Sequence, residues 1–297
     1  MNMKIIQLMC LSFFVASPLF ASEAKLYPFV LASVSQQGIE ETLTTVQAAL
    51  NEASFEIVGQ ARPYDGVVVL VVTNDALKTM ATASKNGGFG AMARVSLTQV
   101  DEGVQVAYTN PEYWFHIYQM EGDILPVKSA LMKALGETEN FGPSHGLTAK
   151  ALRSYHYKVF MPYFEDVEQL ASYESHQEAL DAVQAALAAQ AGGVSKVYQI
   201  DLPGAEESVF GVQMTQKVSS DQFIMSEVDF KPIRSSAHLP YEFLVSGSKV
   251  ITLSAKFRIA ASFPDLSMMG DNSFMNIMDA PDDIKNALSA AAGNPPK

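Results

Sequence analysis

The chain has 297 residues, of which 48% are apolar and 18% are charged, so it can form one large domain or two smaller ones and is too apolar for a disordered protein. It carries 20 Lys and Arg residues against 32 Asp and Glu residues, a formal charge of -12. This sign excludes a nucleic-acid partner bound through a basic surface, and it argues against docking on anionic lipid.

Residues 1–21 have the pattern of a secretory signal peptide. Lys4 precedes an apolar run over residues 5–15, and Ala21 offers a small residue for cleavage. Cleavage there would remove Lys4, changing the charge from -12 to -13, and Cys10, the only cysteine. No later run reaches 18 apolar residues. We therefore expect a soluble periplasmic protein that has no disulfide and no stable membrane insertion.

After residue 25, the predicted elements occur twice in the same order. Residues 45–50 (Thr-Val-Gln-Ala-Ala-Leu) recur as residues 182–187 (Ala-Val-Gln-Ala-Ala-Leu), late in helices predicted over 39–51 and 177–191. The strands predicted next are 55–60, 67–73, 91–99 and 104–108 in the first copy, and 195–202, 208–215, 238–245 and 249–255 in the second. Amphipathic helices over 127–135 and 282–291 close the copies.

This order indicates an internal duplication of an α+β unit, a mostly antiparallel sheet with packed helices. The first repeat is predicted over residues 25–140 and the second over 158–293. Residues 141–157 form the expected linker, and residues 294–297 the expected disordered tail. Glycines at the predicted hairpin turns, Gly103 and Gly247, favour positive φ there.

The motifs of the two repeats resemble the domain-of-unknown-function family 302. The second repeat carries His238-Leu239-Pro240 followed by Phe243-Leu244-Val245, and the first carries Tyr108-Thr109-Asn110-Pro111 followed by Tyr113. The first repeat departs from the pattern at residues 91–93. The resemblance implies a TATA-box-binding-protein-like architecture and no reaction, because the family has no assigned one. A tandem copy would supply within one chain what single-domain relatives form by dimerising, and a homodimer of the whole chain also stays open.

Aromatic and polar residues concentrate at two places. His116 lies beside Tyr113 and Trp114, the only tryptophan, and a second cluster lies at the junction of the repeats. Such clusters are typical of a ligand pocket, although aromatic residues that pack a helix or strand against the core give the same pattern. The candidate ligand-binding residues are Tyr108, Asn110, Tyr113, Trp114, His116, Tyr155 and His156.

The motif search predicts no cofactor and no metal site of a common type. The sequence lacks G-x-S-x-G, H-E-x-x-H, paired C-x-x-C and Walker motifs. Residues 88–93 fit G-x-G-x-x-A, but a predicted strand follows them where a dinucleotide fingerprint needs a helix. Residues 87–90 are therefore interpreted as a flexible turn.

Three functional hypotheses follow. The first is a binding or accessory protein for a small apolar or amphipathic ligand or for an envelope protein. The second is an enzyme whose site spans the repeats, with His116 or His156 as general base. The third is copper handling by Met268, Met269, Met275 and Met278, because thioethers suit copper(I). Against this last hypothesis, Met275 and Met278 also have the spacing of a buried helical face.

Overall fold

The computed structural model describes residues 23–294, so the predicted signal peptide and the last three residues lie outside the described part. The elements of the first half are β1 (Phe29–Ser35), α1 (Ile39–Glu52), β2 (Glu56–Ala61), β3 (Val67–Thr73), α2 (Asp75–Ala83), β4 (Ala93–Val100), β5 (Gly103–Thr109), α3 (Pro111–Ile117), α4 (Leu125–Leu135), β6 (Glu139–Phe141) and α5 (Ala149–Arg153). No helix within residues 23–294 has the length and apolar content needed to cross a membrane.

The second half repeats this succession. Its elements are β7 (Glu168–Ser172), α6 (His176–Ala188), β8 (Val194–Asp201), β9 (Glu207–Met214), α7 (Asp221–Val228), β10 (Tyr241–Ser246), β11 (Lys249–Thr252), α8 (Ala255–Ser262) and α9 (Ala280–Ala291). Helix starts follow their capping residues. The side chain of Asn74 accepts from Leu77 N before α2, and that of Ser175 accepts from Glu178 N before α6.

Each half forms one antiparallel sheet, and the two sheets share a strand order. The first runs β2-β3-β4-β5-β1-β6 and the second runs β8-β9-β10-β11-β7, so only β6 has no counterpart. Gly103 and Gly247, at the equivalent hairpin turns, both have positive φ as predicted. The α+β class with antiparallel sheets is confirmed, and the common order is the arrangement that an internal duplication would produce.

One face of each sheet is covered by helices of its own half. Helices α1 and α4 pack on the first sheet, and α6 and α9 pack on the second. The other face of each sheet is turned toward the opposite half. Strand β3 is therefore buried at all seven positions, which explains the unbroken apolar run in its sequence.

Reciprocal contacts join the halves. A short 3₁₀ helix over Gly87–Gly90 packs on β9 and β10, while the equivalent 3₁₀ helix over Ser236–His238 packs on β3, β4 and β5. Glycine at position 88 allows this close packing, because the Cβ of any other residue would clash with Leu244 Cδ2 at 2.5 Å. The expectation of a flexible turn at residues 87–90 is wrong, because Gly87, Gly88 and Phe89 are buried at this interface.

Residues 141–157, expected as a linker, are packed against both halves, because the hydroxyls of Tyr155 and Tyr157 donate to backbone of the second half. Phe141 belongs to β6, and Leu152 of α5 is fully buried. Asn294, expected in the disordered tail, donates from Nδ2 to the carbonyl oxygen of Leu170 at 2.8 Å. Residues 141–157 and Asn294 are thus held by specific contacts that composition does not report.

Candidate functional site

Three charged side chains are buried where the two halves meet. Arg94 on β4 donates from Nη2 to Glu242 Oε1 on β10 at 2.8 Å, and Arg258 Nε on α8 reaches the same oxygen at 3.1 Å. None of the three residues is more than 3% exposed. We call Arg94, Glu242 and Arg258 the central ionic cluster.

The cluster pairs equivalent positions of the two halves. Arg94 is the second residue of β4, and Glu242 is the second residue of β10. Trp114 and Arg258 each lie four residues after the N-cap of their helices, α3 and α8. The guanidinium carbon of Arg258 lies 5.0 Å from the centre of a Trp114 ring, a cation–π distance. The first half therefore contributes a guanidinium and an aromatic ring to the contact, and the second half contributes a guanidinium and a carboxylate.

Polar groups around Arg258 fix its position. Its Nη2 donates to the His238 carbonyl oxygen at 2.7 Å, and its Nη1 donates to Ser262 Oγ at 3.2 Å. Burial alone would lower the pKa of Arg258, but the Glu242 carboxylate raises it above its ordinary value. Burial and the two guanidiniums hold the pKa of His238 well below its usual range, so the imidazole is neutral at pH 7.

The central ionic cluster has an excess of positive charge, and both donors and one acceptor in its region lack hydrogen-bond partners. It holds two guanidiniums and one carboxylate, a net charge of +1. Within residues 23–294, six buried side-chain polar atoms have no hydrogen-bond partner, and four belong to this region: Arg94 Nε, Tyr118 OH, Tyr198 OH and Glu242 Oε2. Burial raises the pKa of Tyr118 to about 12, so its hydroxyl is protonated and can donate. Unpaired buried groups of this kind are energetically costly, so a hydrogen-bond partner beside them would be favourable.

A largely enclosed cavity of about 20 Å³ lies against two of these groups, Arg94 and Tyr118. This volume corresponds to about one water molecule. Thr109 adds a hydroxyl to the wall, and Trp114 adds an aromatic ring. The remaining wall is mainly apolar and includes Leu77, Met80, Met92, Phe115, Met120 and Ile124. The cavity thus combines a cationic donor end with an adaptable methionine-rich wall.

Comparisons of the chain with protein-family models, with curated proteins and with solved structures found no match. The resemblance to family 302 and the TATA-box-binding-protein-like architecture therefore stay predictions.

The structure brings together three of the predicted ligand-binding residues. Tyr113 OH donates to the Ala261 carbonyl oxygen and Tyr155 OH to that of Ala260, both at 2.8 Å. Trp114 Nε1 donates to the Pro28 carbonyl oxygen at 2.9 Å. All three polar tips are therefore bonded to backbone, and Trp114 alone of the three also lines the cavity.

Two further predicted residues stabilise local structure. Tyr108 is buried, and its hydroxyl donates to the Gly136 carbonyl oxygen at 3.1 Å. Asn110 caps α3 by accepting from Glu112 N at 3.2 Å. Both fix the connection between β5 and the helices that follow it.

The two histidines of the enzyme hypothesis lie apart from the cavity. His116 Nδ1 accepts from Arg153 Nε at 3.4 Å, and burial together with the Arg153 charge lowers the pKa of His116. His156 lines an open groove of about 590 Å³ and lies 4.6 Å, ring to ring, from Tyr163. Within residues 23–294, neither histidine is hydrogen-bonded to a carboxylate, and no group of three or more His, Cys, Asp or Glu side chains could hold a metal ion.

Sequence reasoning missed the central ionic cluster and His238. The available signal was a charge inside an otherwise apolar element: Arg94 lies in a strand that runs on to Val95 and Leu97, and Arg258 lies between Phe257 and Ile259. Such a charge in a buried element needs a partner, although the sequence does not say which residue supplies it.

Proposed function

We propose that the protein binds a small amphipathic anion, a carboxylate with a short apolar chain, in the cavity beside Arg94. The observation that carries the proposal is the unpaired Arg94 Nε beside the unpaired Tyr118 hydroxyl, both on groups that line one cavity. A guanidinium and a phenol hydroxyl that line one enclosed space supply the kind of donors that bind the acceptor oxygens of a carboxylate.

Charge supports an anion over a neutral ligand. With His238 neutral, the central ionic cluster carries one uncompensated positive charge in a water-poor interior. A bound monoanion would neutralise it, which is favourable because an unpaired buried charge is strongly destabilising.

The cavity wall supports a ligand with an apolar part. Three methionines, Met80, Met92 and Met120, lie around the cavity. Methionine has flexible, unbranched side chains that repack readily, so the wall can widen around a short alkyl chain. The ligand size is set by how far these three side chains move.

We also propose where the protein acts and how its two halves arose. The pattern of residues 1–21 supports export to the periplasm, and the shared strand order of the sheets supports an internal duplication. The enzyme hypothesis receives less support, because the free atoms at the cavity are donors of a guanidinium and a phenol that keep their protons near neutral pH.

Changing Tyr118 to Phe tests the proposal. The variant removes the hydroxyl donor and keeps the buried aromatic ring, so the protein should remain folded. Because hydrogen bonds to charged groups contribute about 1.5–3 kcal/mol, we expect carboxylate binding to weaken by about tenfold or more. Binding of acetate, butyrate and hexanoate would be measured by calorimetry and by the fluorescence of Trp114, which lines the cavity.

Tyr198→Phe is the matched control. Its hydroxyl is also buried and unpaired, but Tyr198 is not part of the cavity wall. Carboxylate binding should therefore be unchanged in this variant. Equal binding in wild type and Tyr118→Phe, or equal binding of butyrate and the neutral butyramide, would contradict the proposal.

A further inference from the structure

The segment between α8 and α9 presents an unusual set of methionines. We call residues 267–279 the methionine loop. Its first residue, Ser267, is bridged to Ser273 in its middle, and Phe274 N donates to the Ser267 carbonyl oxygen at 2.8 Å. Ile277 is buried and anchors the loop to the second core. The loop is thus a closed, fixed element of the surface.

All four methionines of this loop are exposed. The exposed fractions are 37% for Met268, 73% for Met269, 52% for Met275 and 55% for Met278. The buried helical face expected for Met275 and Met278 is wrong: Ile277 faces the core here and the methionines face outward. By contrast, Met80, Met92, Met120, Met214 and Met225 are buried. Exposed thioethers concentrated in one short loop are not explained by packing.

Backbone pairing within the loop brings the segment that carries Met268 and Met269 beside the segment that leads to Met275 and Met278. Met275 and Met278 are three residues apart on a 3₁₀ turn, with Met278 N donating to the Met275 carbonyl oxygen at 3.4 Å, so they share a side of the turn. The pairing of Ser267 with Ser273 returns the chain beside Met268 and Met269 before it enters this turn. Long, unbranched methionine side chains can converge from these positions.

Charge around the loop favours a cation. The sequence between Arg258 and Lys285 contains no Lys, Arg or His, and it contains five aspartates. Asp271 and Asp279 lie within the methionine loop itself. The local negative potential would attract a monovalent cation and repel anions.

We propose that the methionine loop binds copper(I) or the chemically similar silver(I) through three or four thioether sulfurs. Soft monovalent cations prefer thioether and thiolate ligands, whereas hard cations prefer oxygen. Thioethers carry no proton to release, so binding should be nearly independent of pH between about 5 and 8, unlike a cysteine or histidine site. No residue of the methionine loop lines the cavity beside Arg94, and this site does not depend on the carboxylate proposal.

The test uses the chain without residues 1–21, titrated with silver(I) and, under reducing conditions, with copper(I) against a competing chelator. The test variant changes Met268, Met269, Met275 and Met278 to Leu, which keeps side-chain size at exposed positions. Mutating outer-shell partners of metal ligands already costs about 10–100-fold in affinity, so loss of the ligands themselves should cost at least about 100-fold. X-ray absorption of the copper(I) complex should show sulfur neighbours only.

Met132→Leu is the control, because Met132 is 45% exposed but lies on α4 in the other half. It should leave the affinity unchanged. The proposal is overturned if wild type binds silver(I) no more tightly than the fourfold variant, or if Met132→Leu weakens binding as much. Nitrogen or oxygen neighbours of copper(I) would also overturn it.

Discussion

Replacing Glu242 by Gln is expected to lower the free energy of unfolding by about 3–5 kcal/mol, because it leaves the guanidiniums of Arg94 and Arg258 buried without a counter-charge. Gln keeps the size and shape of the side chain, so the lost stability would come from removing the charge and not from creating a cavity. Urea denaturation followed by circular dichroism would measure the change. A loss below about 1 kcal/mol would show that the buried cluster is compensated by other groups.

The control is Glu40→Gln, which removes an ion pair of the same type at the surface. Glu40 Oε1 lies 2.8 Å from Arg62 Nη2, and both side chains are about half or more exposed. Solvent-exposed pairs contribute only about 0–1 kcal/mol. A matched experiment changes all three residues of the central ionic cluster to apolar ones (Arg94→Met, Glu242→Leu and Arg258→Met), which should recover much of the lost stability.

The second large effect concerns pH. Burial raises the pKa of Asp221 to about 8. A hydrogen bond from Met214 N lowers this pKa, but it offsets only part of the effect of burial. The folded protein therefore keeps this proton up to about pH 8, whereas the unfolded chain loses it near pH 4. Between those values the folded state binds more protons, so its stability falls as pH rises.

His238 acts in the opposite direction below about pH 6.5, because its folded-state pKa lies well below that of the unfolded chain. The effect of Asp221 is therefore clearest between pH 6.5 and 8. There we expect the free energy of unfolding to fall by up to about 1.4 kcal/mol per pH unit, or about 2 kcal/mol in all. Denaturation midpoints at a series of pH values would measure it.

Asp221→Asn should abolish this decline, since the amide mimics the neutral acid and its oxygen still accepts from Met214 N. Asp229→Asn is the control. Burial raises the pKa of Asp229 to about 6, so its contribution is largely complete below the chosen window. If the decline persists in Asp221→Asn, or vanishes in Asp229→Asn, the assignment to Asp221 is wrong.

Helices and strands were predictable where the spacing of apolar residues within one short segment shows the period of the element. The strand predicted over 67–73 has the bounds of β3, and the helix predicted over 39–51 ends one residue before α1 does. Helix α8 was missed and its first residue was assigned to a strand. Seven of its eight residues are buried, so it has no polar face and no amphipathic period to detect.

The site was less predictable for a different reason. Trp114 was identified as part of a pocket because aromatic residues cluster locally in the sequence. Its contact with Arg258, and the pairing of Arg94 with Glu242, depend on how two halves of the chain meet. A buried charge can be recognised from one segment, but in both of these contacts the partner lies more than a hundred residues away.

The reciprocal contacts between the halves have a consequence for how the chain can assemble. If two copies of the first half met in the same way, Arg94 would face Arg94 with no carboxylate between them. Like charges at such a buried contact are strongly repulsive. The second half differs, because its Glu242 already has Arg258 of the same half as a counter-charge. The charges therefore reject self-pairing of the first half and favour its pairing with the second. Covalent linkage guarantees that each half has the other beside it, which frees the two to differ.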